Sequence, residues 1–405
     1  MKKVDVVASM SLKAGMGPVQ TVKRIINSRD FFIEKGYDIN VFSLDCVSST
    51  IEENFKSKPS FLLKMVKSIT RFLSTRTKFY AVNRINVLNK SSKRILSYYF
   101  SLERTPDVLV FHGWQDCYEY LQNYRLSNVK VCLFIHSDGS PEGNKMILSY
   151  YPKLRGTDVE VEMDRQLEFT LRNIDAMACI TKIEEINLIE QYPFLKGKTV
   201  SVINGISDLN PNQIQHSKEI RIAQKSHKYR FVSVGSMNGR KGHKEVIEAV
   251  YQMNPNLRKD VLVTFVGEGR DKSSLQSLVT KYGLNDNIVF TGLVPNEEVY
   301  KFQAAANISI LFSKLEGLPL ALLEGLRSGV ALISTDVSGI SEVVHHGVNG
   351  VLINYSQKDL NGIFNSLDRY DWNKMGVESR KLFDKYYNFP RMREDYIKML
   401  EQALK

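Results

Sequence analysis

Short runs of Val, Ile, Leu and Phe alternate with helix-forming segments along most of this 405-residue chain. Such runs are typical of strands buried on both faces of a parallel sheet, and parallel strands need helical crossovers between them. The alternation occurs in both halves of the chain. We therefore predict an α/β protein with two doubly wound, Rossmann-like domains that face a central cleft. The predicted strands are 4–9, 37–44, 107–111, 130–135, 174–180, 200–203, 229–234, 261–266, 288–290, 308–312 and 330–335.

Composition excludes several classes of protein. A hydrophobic share of 43% and a charged share of 24% are ordinary for a soluble globular enzyme. No apolar run approaches the ~18 residues that a membrane-spanning helix needs. The four cysteines form no C-x-x-C pair and show no metal-ligand spacing. A reducing, cytoplasmic compartment is therefore expected. We also expect no metal, and no cofactor.

The stretch 313–329, SKLEGLPLALLEGLRSG, contains two acids, Glu316 and Glu324. Pro319 suits the first turn of a helix, because its missing N–H costs nothing there, and residues 320–324 are good helix formers. Glu316 is thus predicted in a loop and Glu324 about one turn inside the helix. Since a helix start attracts anions such as phosphate, the stretch indicates a pocket for a phosphorylated polyol.

The alternative for this stretch is an amphipathic helix whose two glutamates are simply solvated. The preceding run 308–312 favours the pocket, because it predicts a buried strand. The loop would then lie at the end of a sheet, where ligands of open α/β sheets bind.

The segment EGLPLALLEG resembles the E-x7-E element of the retaining glycosyltransferases of family 4 (glycosyl transferases group 1), which have the GT-B fold. The resemblance continues through 329–336, Gly339, Glu342 and 347–350, and it covers most of 229–355. It implies a retaining, metal-independent hexosyltransferase that moves a hexose or N-acetylhexosamine from a nucleotide diphosphate sugar to an acceptor hydroxyl. A UDP sugar is the favoured donor, with a GDP sugar as the alternative.

The resemblance also implies roles for the residues of this element. Glu316 would lie beside the donor sugar and support its hydroxyls and the positive charge that develops at the anomeric carbon. Glu324 would accept hydrogen bonds from the ribose diol. Donor contacts are expected as well for the residues between them: Gly317, Leu318, Pro319 and Leu320.

The loop after the predicted strand 229–234 reads GSMNGRKGH. The family usually has an arginine directly after the first glycine and a lysine five positions later. Lys241 matches the lysine, but Ser236 stands where the arginine belongs, and Arg240 is the candidate to supply that charge. Positioned cations stabilise the negative charge that develops on a departing nucleoside diphosphate. We expect Lys241, with Arg240, to bind the diphosphate; the alternative is a lysine that is merely exposed.

Two predicted strands of the first half end at histidines, His112 and His136. His136 resembles the histidine that in this family follows a strand of the N-terminal domain and faces the donor sugar. It is therefore assigned a catalytic role, with His112 as the rival candidate. Either histidine could instead be a structural hydrogen-bonding group.

Two glycine-containing turns complete the predicted donor site. A strand, the turn LKAGMGP and a helix follow one another near the N-terminus, a pattern that lets backbone approach a phosphate. By resemblance, Gly15 and Gly17 in this turn face the cleft and contact donor phosphate or acceptor; a plain tight turn is the alternative. The turn with Thr291 and Gly292 is expected to hold the nucleotide base through backbone groups.

These patterns divide the chain. We predict an N-terminal, acceptor-side domain at 1–206, a linker or exposed helix at 207–228, and a C-terminal, nucleotide-sugar-binding domain at 229–385. A last helix at about 386–405 is expected to cross back over the first domain. The polar segment 141–165 is predicted to be an acceptor-side loop.

The net charge of +11 is concentrated in the basic segment 54–102, which contains no Asp or Glu. Four of its apolar residues have the spacing of one helical face: Leu62, Val66, Ile69 and Leu73. This indicates a basic helix on an anionic membrane surface, and hence a cytoplasmic protein that is peripheral on the inner face of the cell membrane. The alternative is a solvated face whose apolar stripe packs into its own domain. We expect no nucleic acid partner, because no recognition motif is present.

A site at the membrane suggests a lipid-linked or glycan acceptor, as in assembly of a bacterial surface polysaccharide. Three other functions stay open: a glycosidase, a nucleotide-sugar epimerase of the same architecture, and a non-catalytic partner subunit that recruits a transferase to the membrane. Glu324 inside a helix beside a phosphate site argues against the glycosidase. The set Glu316, Glu324 and Lys241 argues against an inactive subunit.

Overall fold

The computed structural model describes residues 1–13, 17–49, 69–70, 73–136, 145–223 and 227–405. They form two compact units, Met1–Ile203 with Arg393–Lys405, and Asn204–Met392. Residues 207–228, which we predicted as a linker or an exposed helix, fall inside the second unit.

The first unit is built on a parallel sheet of six strands among the described residues, in the order β2-β1-β3-β4-β5-β6. Its central strands are Val, Leu, Phe and Ala-rich and lie buried, as expected when helices cover both faces. The strand order reverses between β1 and β3, so the loops after these two strands diverge and leave a crevice at the carboxyl edge. The strands are Lys2–Ala8 (β1), Tyr37–Ser43 (β2), Val108–Phe111 (β3), Lys130–Phe134 (β4), Ala176–Cys179 (β5) and Thr199–Ser201 (β6).

The helices of the first unit include two that the sequence analysis missed, Lys145–Tyr150 and Asp158–Asn173. Segment 141–165 was predicted as a loop, but residues 158–165 begin a long helix. Met163, Leu167 and Leu171 recur at helical spacing and are buried, and this stripe was hidden among charged neighbours. Thr181 caps the last of these helices, since its hydroxyl accepts from Glu184 N–H at 3.0 Å. The helices are Gly17–Ile26 (α1), Arg29–Glu34 (α2), Leu44–Ser49 (α3), Lys78–Ser101 (α4), Trp114–Asn123 (α5), Lys145–Tyr150 (α6), Asp158–Asn173 (α7) and Lys182–Gln191 (α8).

The second unit repeats the architecture with a second parallel sheet, in the order β12-β11-β10-β7-β8-β9. Strands β7, β8 and β9 follow one another to one side, and β10 then pairs with β7 on the other side. The switch point of this sheet therefore lies between β7 and β10. The strands are Tyr229–Val234 (β7), Val261–Val266 (β8), Ile288–Gly292 (β9), Ile308–Leu311 (β10), Ala331–Thr335 (β11) and Gly350–Ile353 (β12).

Helices surround this sheet as well. The first of them occupies the predicted linker, has no buried residue, and is tied to the unit by a 3.0 Å hydrogen bond between His216 and Tyr300. The helices are Pro211–Ala223 (α9), His243–Tyr251 (α10), Pro255–Arg258 (α11), Lys272–Lys281 (α12), Val299–Ala305 (α13), Leu320–Ser328 (α14), Gln357–Phe364 (α15) and Trp372–Leu382 (α16). The last helix, Phe389–Leu404 (α17), begins in the second unit and ends in the first, to which Arg393–Lys405 belong.

Each sheet carries its own hydrophobic core against the covering helices. All four cysteines are free thiols, and Cys117, Cys132 and Cys179 are buried. Among the described residues, no helix has both the length and the apolar character to cross a membrane.

Candidate active site in the second unit

Two loops meet at the switch point of the second sheet. The lysine loop, residues 235–242, follows β7, and the glutamate loop, residues 312–319, follows β10. Because β7 and β10 are neighbouring parallel strands, both loops leave the same edge of the sheet. The predicted acid and the predicted cation are thereby brought together.

The central contact is an ion pair between Lys241 and Glu316. Lys241 Nζ donates to Glu316 Oε1 at 2.5 Å, and the two side chains are only 12% and 7% exposed. Burial lowers the pKa of Lys241, and the charge of Arg240 lowers it further, whereas Glu316 opposes both. An ammonium has three donors, so Lys241 can hold Glu316 and still donate to an anionic ligand.

Arg240 ties the two loops together. Its Nη1 donates to the Leu315 carbonyl and lies 3.2 Å from Glu316 Oε1. In return, Lys314 N–H donates to the Arg240 carbonyl at 2.9 Å. The Arg240 side chain is 29% exposed, so it is accessible as well as anchored. Arg240 thus lies beside Glu316, and its contacts in the described chain position the glutamate loop.

Ser236, which stands in place of the family arginine, has a local role. Its Oγ accepts from Asn238 Nδ2 at 2.9 Å, and Asn238 Oδ1 accepts from Arg240 N–H at 3.1 Å. These bonds fold the lysine loop so that Arg240 and Lys241 both reach Glu316.

Gly242 permits the close approach of the two loops. Its φ is +67°, and a Cβ at this position would lie 1.9 Å from the Phe312 carbonyl oxygen. No other residue type fits a left-handed backbone with this contact.

The helix that follows the glutamate loop begins one residue later than predicted. Pro319 occupies the N-cap position rather than the first turn, and α14 begins at Leu320. The ring of Pro319 fixes its φ near the observed −70°, and its ψ of 123° keeps the backbone extended at this residue. Leu318 is buried under the turn, and Glu324 lies half-buried inside the helix. The predicted placement of Glu316 in the loop and Glu324 one turn inside the helix is confirmed.

Thr291 and Gly292 end strand β9 rather than forming a separate turn. Gly292 has a φ of +78° and its carbonyl accepts from Gly267 N–H at 2.9 Å. A Cβ on Gly292 would meet the ion pair between Glu268 and Lys272, which the sequence analysis did not identify. The base-binding role of Thr291 and Gly292 stays a prediction.

The histidines of the first unit form a pair. His112 Nδ1 and His136 Nε2 are 2.9 Å apart, and both rings stack on Phe134. Burial lowers the pKa of His136 to about 3 and that of His112 well below its usual value. Both rings are therefore neutral at physiological pH. Of the predicted glycines, Gly17 begins α1, and Gly15 lies outside the described residues.

His243 is a further residue that the sequence analysis did not single out. It begins α10 beside the lysine loop, is buried, and its ring nitrogens have no hydrogen-bond partner among the described residues. Burial lowers its pKa to about 4, with a smaller contribution from the charge of Lys241. In the sequence, the one feature that links His243 to the site is its position directly after Arg-Lys-Gly.

The comparison with known protein families concerns the same region. The family model described as "Glycosyl transferases group 1" matches residues 215–367, which include both loops. Residues 215–367 of this chain therefore resemble the glycosyl transferases group 1.

The chain is also similar to a curated relative and to two solved structures. It is 30% identical over 207 residues to the lipopolysaccharide 1,6-galactosyltransferase of Escherichia coli, covering 49% of this chain and 55% of that protein. Sucrose-phosphate synthase of Thermosynechococcus elongatus superposes with a TM-score of 0.72 at 15% identity, over 100% and 99% of the two chains. HepE of Anabaena, solved with UDP, superposes with a TM-score of 0.63 at 14% identity, over 99% and 100%.

These likenesses show the GT-B fold that we predicted. The sequence matches span 50–60% of the length of the first curated relatives.

Within the described ranges, no group of three or more His, Cys, Asp or Glu side chains is arranged to hold a metal ion.

Proposed function

We propose that the chain is a retaining glycosyltransferase that transfers a hexose or N-acetylhexosamine from a nucleotide diphosphate sugar to an acceptor hydroxyl. The observation that carries the proposal is the pair of Lys241 and Glu316, with Arg240 beside it, at the switch point of the second sheet. It puts cations and a carboxylate at the place where open α/β sheets bind nucleotides.

The chemistry of this arrangement fits a diphosphate leaving group. Lys241 is nearly buried, so its charge acts in a region of low dielectric where electrostatic stabilisation is strong. A diphosphate brings more negative charge than the single carboxylate that now holds the ammonium. Glu316 is then available to the sugar hydroxyls and to the positive charge at the anomeric carbon.

The start of α14 supports the same ligand. Its N-cap residue, Pro319, makes no side-chain capping bond, and the helix begins at Leu320, shortly after Glu316 in the same loop. Free backbone N–H groups of a first turn bind phosphate oxygens, so the turn that begins at Leu320 is a proposed phosphate contact. Gly317, Leu318 and Pro319, in the loop before it, are proposed as donor contacts from the resemblance to family 4; Pro319 has no N–H and contacts the donor through its ring or carbonyl. Glu324, one turn further on, is the proposed partner of the ribose diol.

The donor proposed is a UDP sugar, with a GDP sugar as the alternative. HepE was solved with UDP and with UDP-glucose, and the Escherichia coli relative is a galactosyltransferase. The retaining, metal-independent mechanism and the role of His136 rest on the resemblance of the sequence to family 4.

We also propose that the chain contacts an anionic membrane surface. In the described part of the basic segment, Ile69 is 48% and Phe79 is 77% exposed, close to Arg76 and Lys78. Exposed apolar and basic side chains together are typical of an interfacial surface. Leu62 and Val66 lie outside the described residues.

Donor binding is tested by the thermal stability of the protein with UDP-glucose, UDP-galactose, UDP-N-acetylglucosamine and GDP-mannose. A bound donor at 100 times its Kd stabilises the folded state by about 2.7 kcal/mol, which is a measurable rise in Tm. Release of free UDP or GDP in the presence of an acceptor, but not in its absence, identifies a transferase. An NMR spectrum of the product that shows an inverted anomeric configuration would contradict the retaining mechanism.

A further inference from the structure

The first unit contains an open polar groove between helices α4, α5 and α7. Its volume is about 440 Å³, within the range of roughly 300–1,000 Å³ that small-molecule sites occupy. Amide side chains dominate its lining, above all the three asparagines of α4: Asn83, Asn86 and Asn89.

These asparagines lie three residues apart, so they share one face of α4. The opposite face is apolar and buried through Ala81, Ile95, Leu96 and Tyr99. Asparagine is a weak helix former in a helix interior, because its amide competes for backbone hydrogen bonds. Asn83 and Asn86 are exposed and Asn89 is half-buried, so the three amides are open to a ligand with hydroxyl groups.

Two lysines extend the same face of α4 by one turn. Lys90 and Lys93 line the groove, and neither forms an ion pair within the described chain. Helix α7 differs, since its charges are paired, as in Arg172 with Glu168 at 2.6 Å. Glu119 is an acid of the groove lining and already accepts from Asn123 at 2.9 Å. The groove thus offers free amides and free positive charge.

One residue of the groove lining is connected to the switch point of the first sheet. Ser92, in its lining, donates to Asp116 Oδ1 at 2.5 Å, and Asp116 Oδ2 accepts from Ser9 N–H at 2.9 Å. Ser9 directly follows β1, and Asp116 lies in the first turn of α5, just after β3. The strand order reverses between β1 and β3, which is where ligands of open α/β sheets bind.

We propose that this groove binds an acidic oligosaccharide. Amides donate to and accept from sugar hydroxyls, as their paired donor and acceptor atoms allow. Lys90 and Lys93 bind a carboxylate or phosphate group on the same glycan. This inference rests on the proposed function, because it identifies the acceptor of the transferase. The acceptor class is an anionic glycan.

The test is direct binding measured by calorimetry on the full chain with no donor present. The probes are a tetrasaccharide of alternating hexuronate and N-acetylhexosamine, a neutral N-acetylhexosamine tetrasaccharide, and vesicles with anionic lipid. We expect the acidic glycan to bind more tightly than the neutral one. Lys90→Ala with Lys93→Ala should weaken acidic-glycan binding by about tenfold or more and leave neutral binding unchanged. Asn86→Ala with Asn89→Ala should weaken both.

The matched control is Lys78→Ala with Arg84→Ala, which removes the same charge from the same helix outside the groove. It should leave glycan binding intact, and a loss of vesicle binding in it alone would assign the membrane contact to that part of α4. Equal weakening of glycan binding in the control and the Lys90/Lys93 variant would overturn the proposal, as would equal affinity for the two tetrasaccharides. Circular dichroism of each variant checks folding. Because no donor is used, a failure to bind the acidic glycan would contradict the groove proposal but not the proposed donor site. A chain that binds the glycan but binds no nucleotide sugar would contradict only the proposed function.

Discussion

The ammonium of Lys241 lies 2.5 Å from Oε1 of Glu316, and both side chains are nearly buried. A buried ion pair adds little net stability, because the loss of solvation offsets the attraction between the charges. Removing one partner, however, leaves the other charge buried and unpaired. The pair is therefore better explained by the binding of charged ligands than by the stability of the fold.

Replacement of Lys241 by Met tests its role towards the leaving group. We expect the turnover number to fall by about 10²–10³, the usual effect of losing one group that stabilises developing charge. Release of nucleoside diphosphate from the preferred donor measures it. Lys244→Met removes a 3.4 Å surface pair with Glu248 and should leave turnover unchanged. Near-normal turnover of Lys241→Met would contradict the assignment.

Arg240 is predicted to position the glutamate loop as well as to supply charge. Arg240→Lys keeps a positive charge but cannot reproduce the contacts with both the Leu315 carbonyl and Glu316, because a lysine lacks the planar fork. We expect this variant to lose turnover while KM for the donor changes little, and Arg240→Ala to lose both. Steady-state kinetics of the two variants decide it. If the lysine variant retains full turnover, Arg240 contributes charge alone.

Gly242 is predicted to be irreplaceable for packing, and Gly283 provides a control with nearly the same backbone. Their φ values are +67° and +65°, but a Cβ on Gly283 meets nothing within 4 Å. Gly283→Ala should therefore cost only the left-handed strain of about 1–2 kcal/mol. Gly242→Ala should cost clearly more, since the carbonyl of Phe312 must move. Urea denaturation of both variants measures the difference in the free energy of unfolding. An equal loss in both variants would show that the lysine loop and the glutamate loop can move apart at no cost.

Acid should destabilise the protein through its buried histidines. The pKa of His243 is about 4 when folded and about 6.5 when unfolded, so unfolding takes up a proton between these values. The stability associated with the neutral ring is present above pH 6.5 and is lost as pH falls towards 4. At pH 5 the loss is up to about 2 kcal/mol for this residue.

The variant His243→Leu isolates this contribution. It should lose less stability than the wild type between pH 7 and pH 5, as measured by urea denaturation at both values. His345→Gln changes an exposed histidine and should behave as the wild type does. An equal acid response of wild type and His243→Leu would place the sensitivity elsewhere, with His112 and His136 as the next residues to replace.

The sequence pattern was sufficient to predict the structure where a residue's environment depends on its neighbours in sequence. The buried strands and the placement of Glu316 before a helix and Glu324 inside it follow from runs of a few residues. The helix at Asp158–Asn173 was missed because its apolar stripe is sparse and its surface is charged. Thr291 and Gly292 were assigned to a turn because glycine is a weak strand former, yet pairing with β8 extends β9 through them.

The sequence alone determined the alternating elements, the glycine turns and the identity of the acid and the cation, since each is encoded within a short window. It did not determine that Lys241 meets Glu316, 75 residues away. That contact exists because β10 pairs with β7 rather than extending the sheet beyond β9, which only the packing of whole strands decides. The groove of α4, α5 and α7 arises in the same way: three helices distant in sequence are placed side by side by the sheet that they cover.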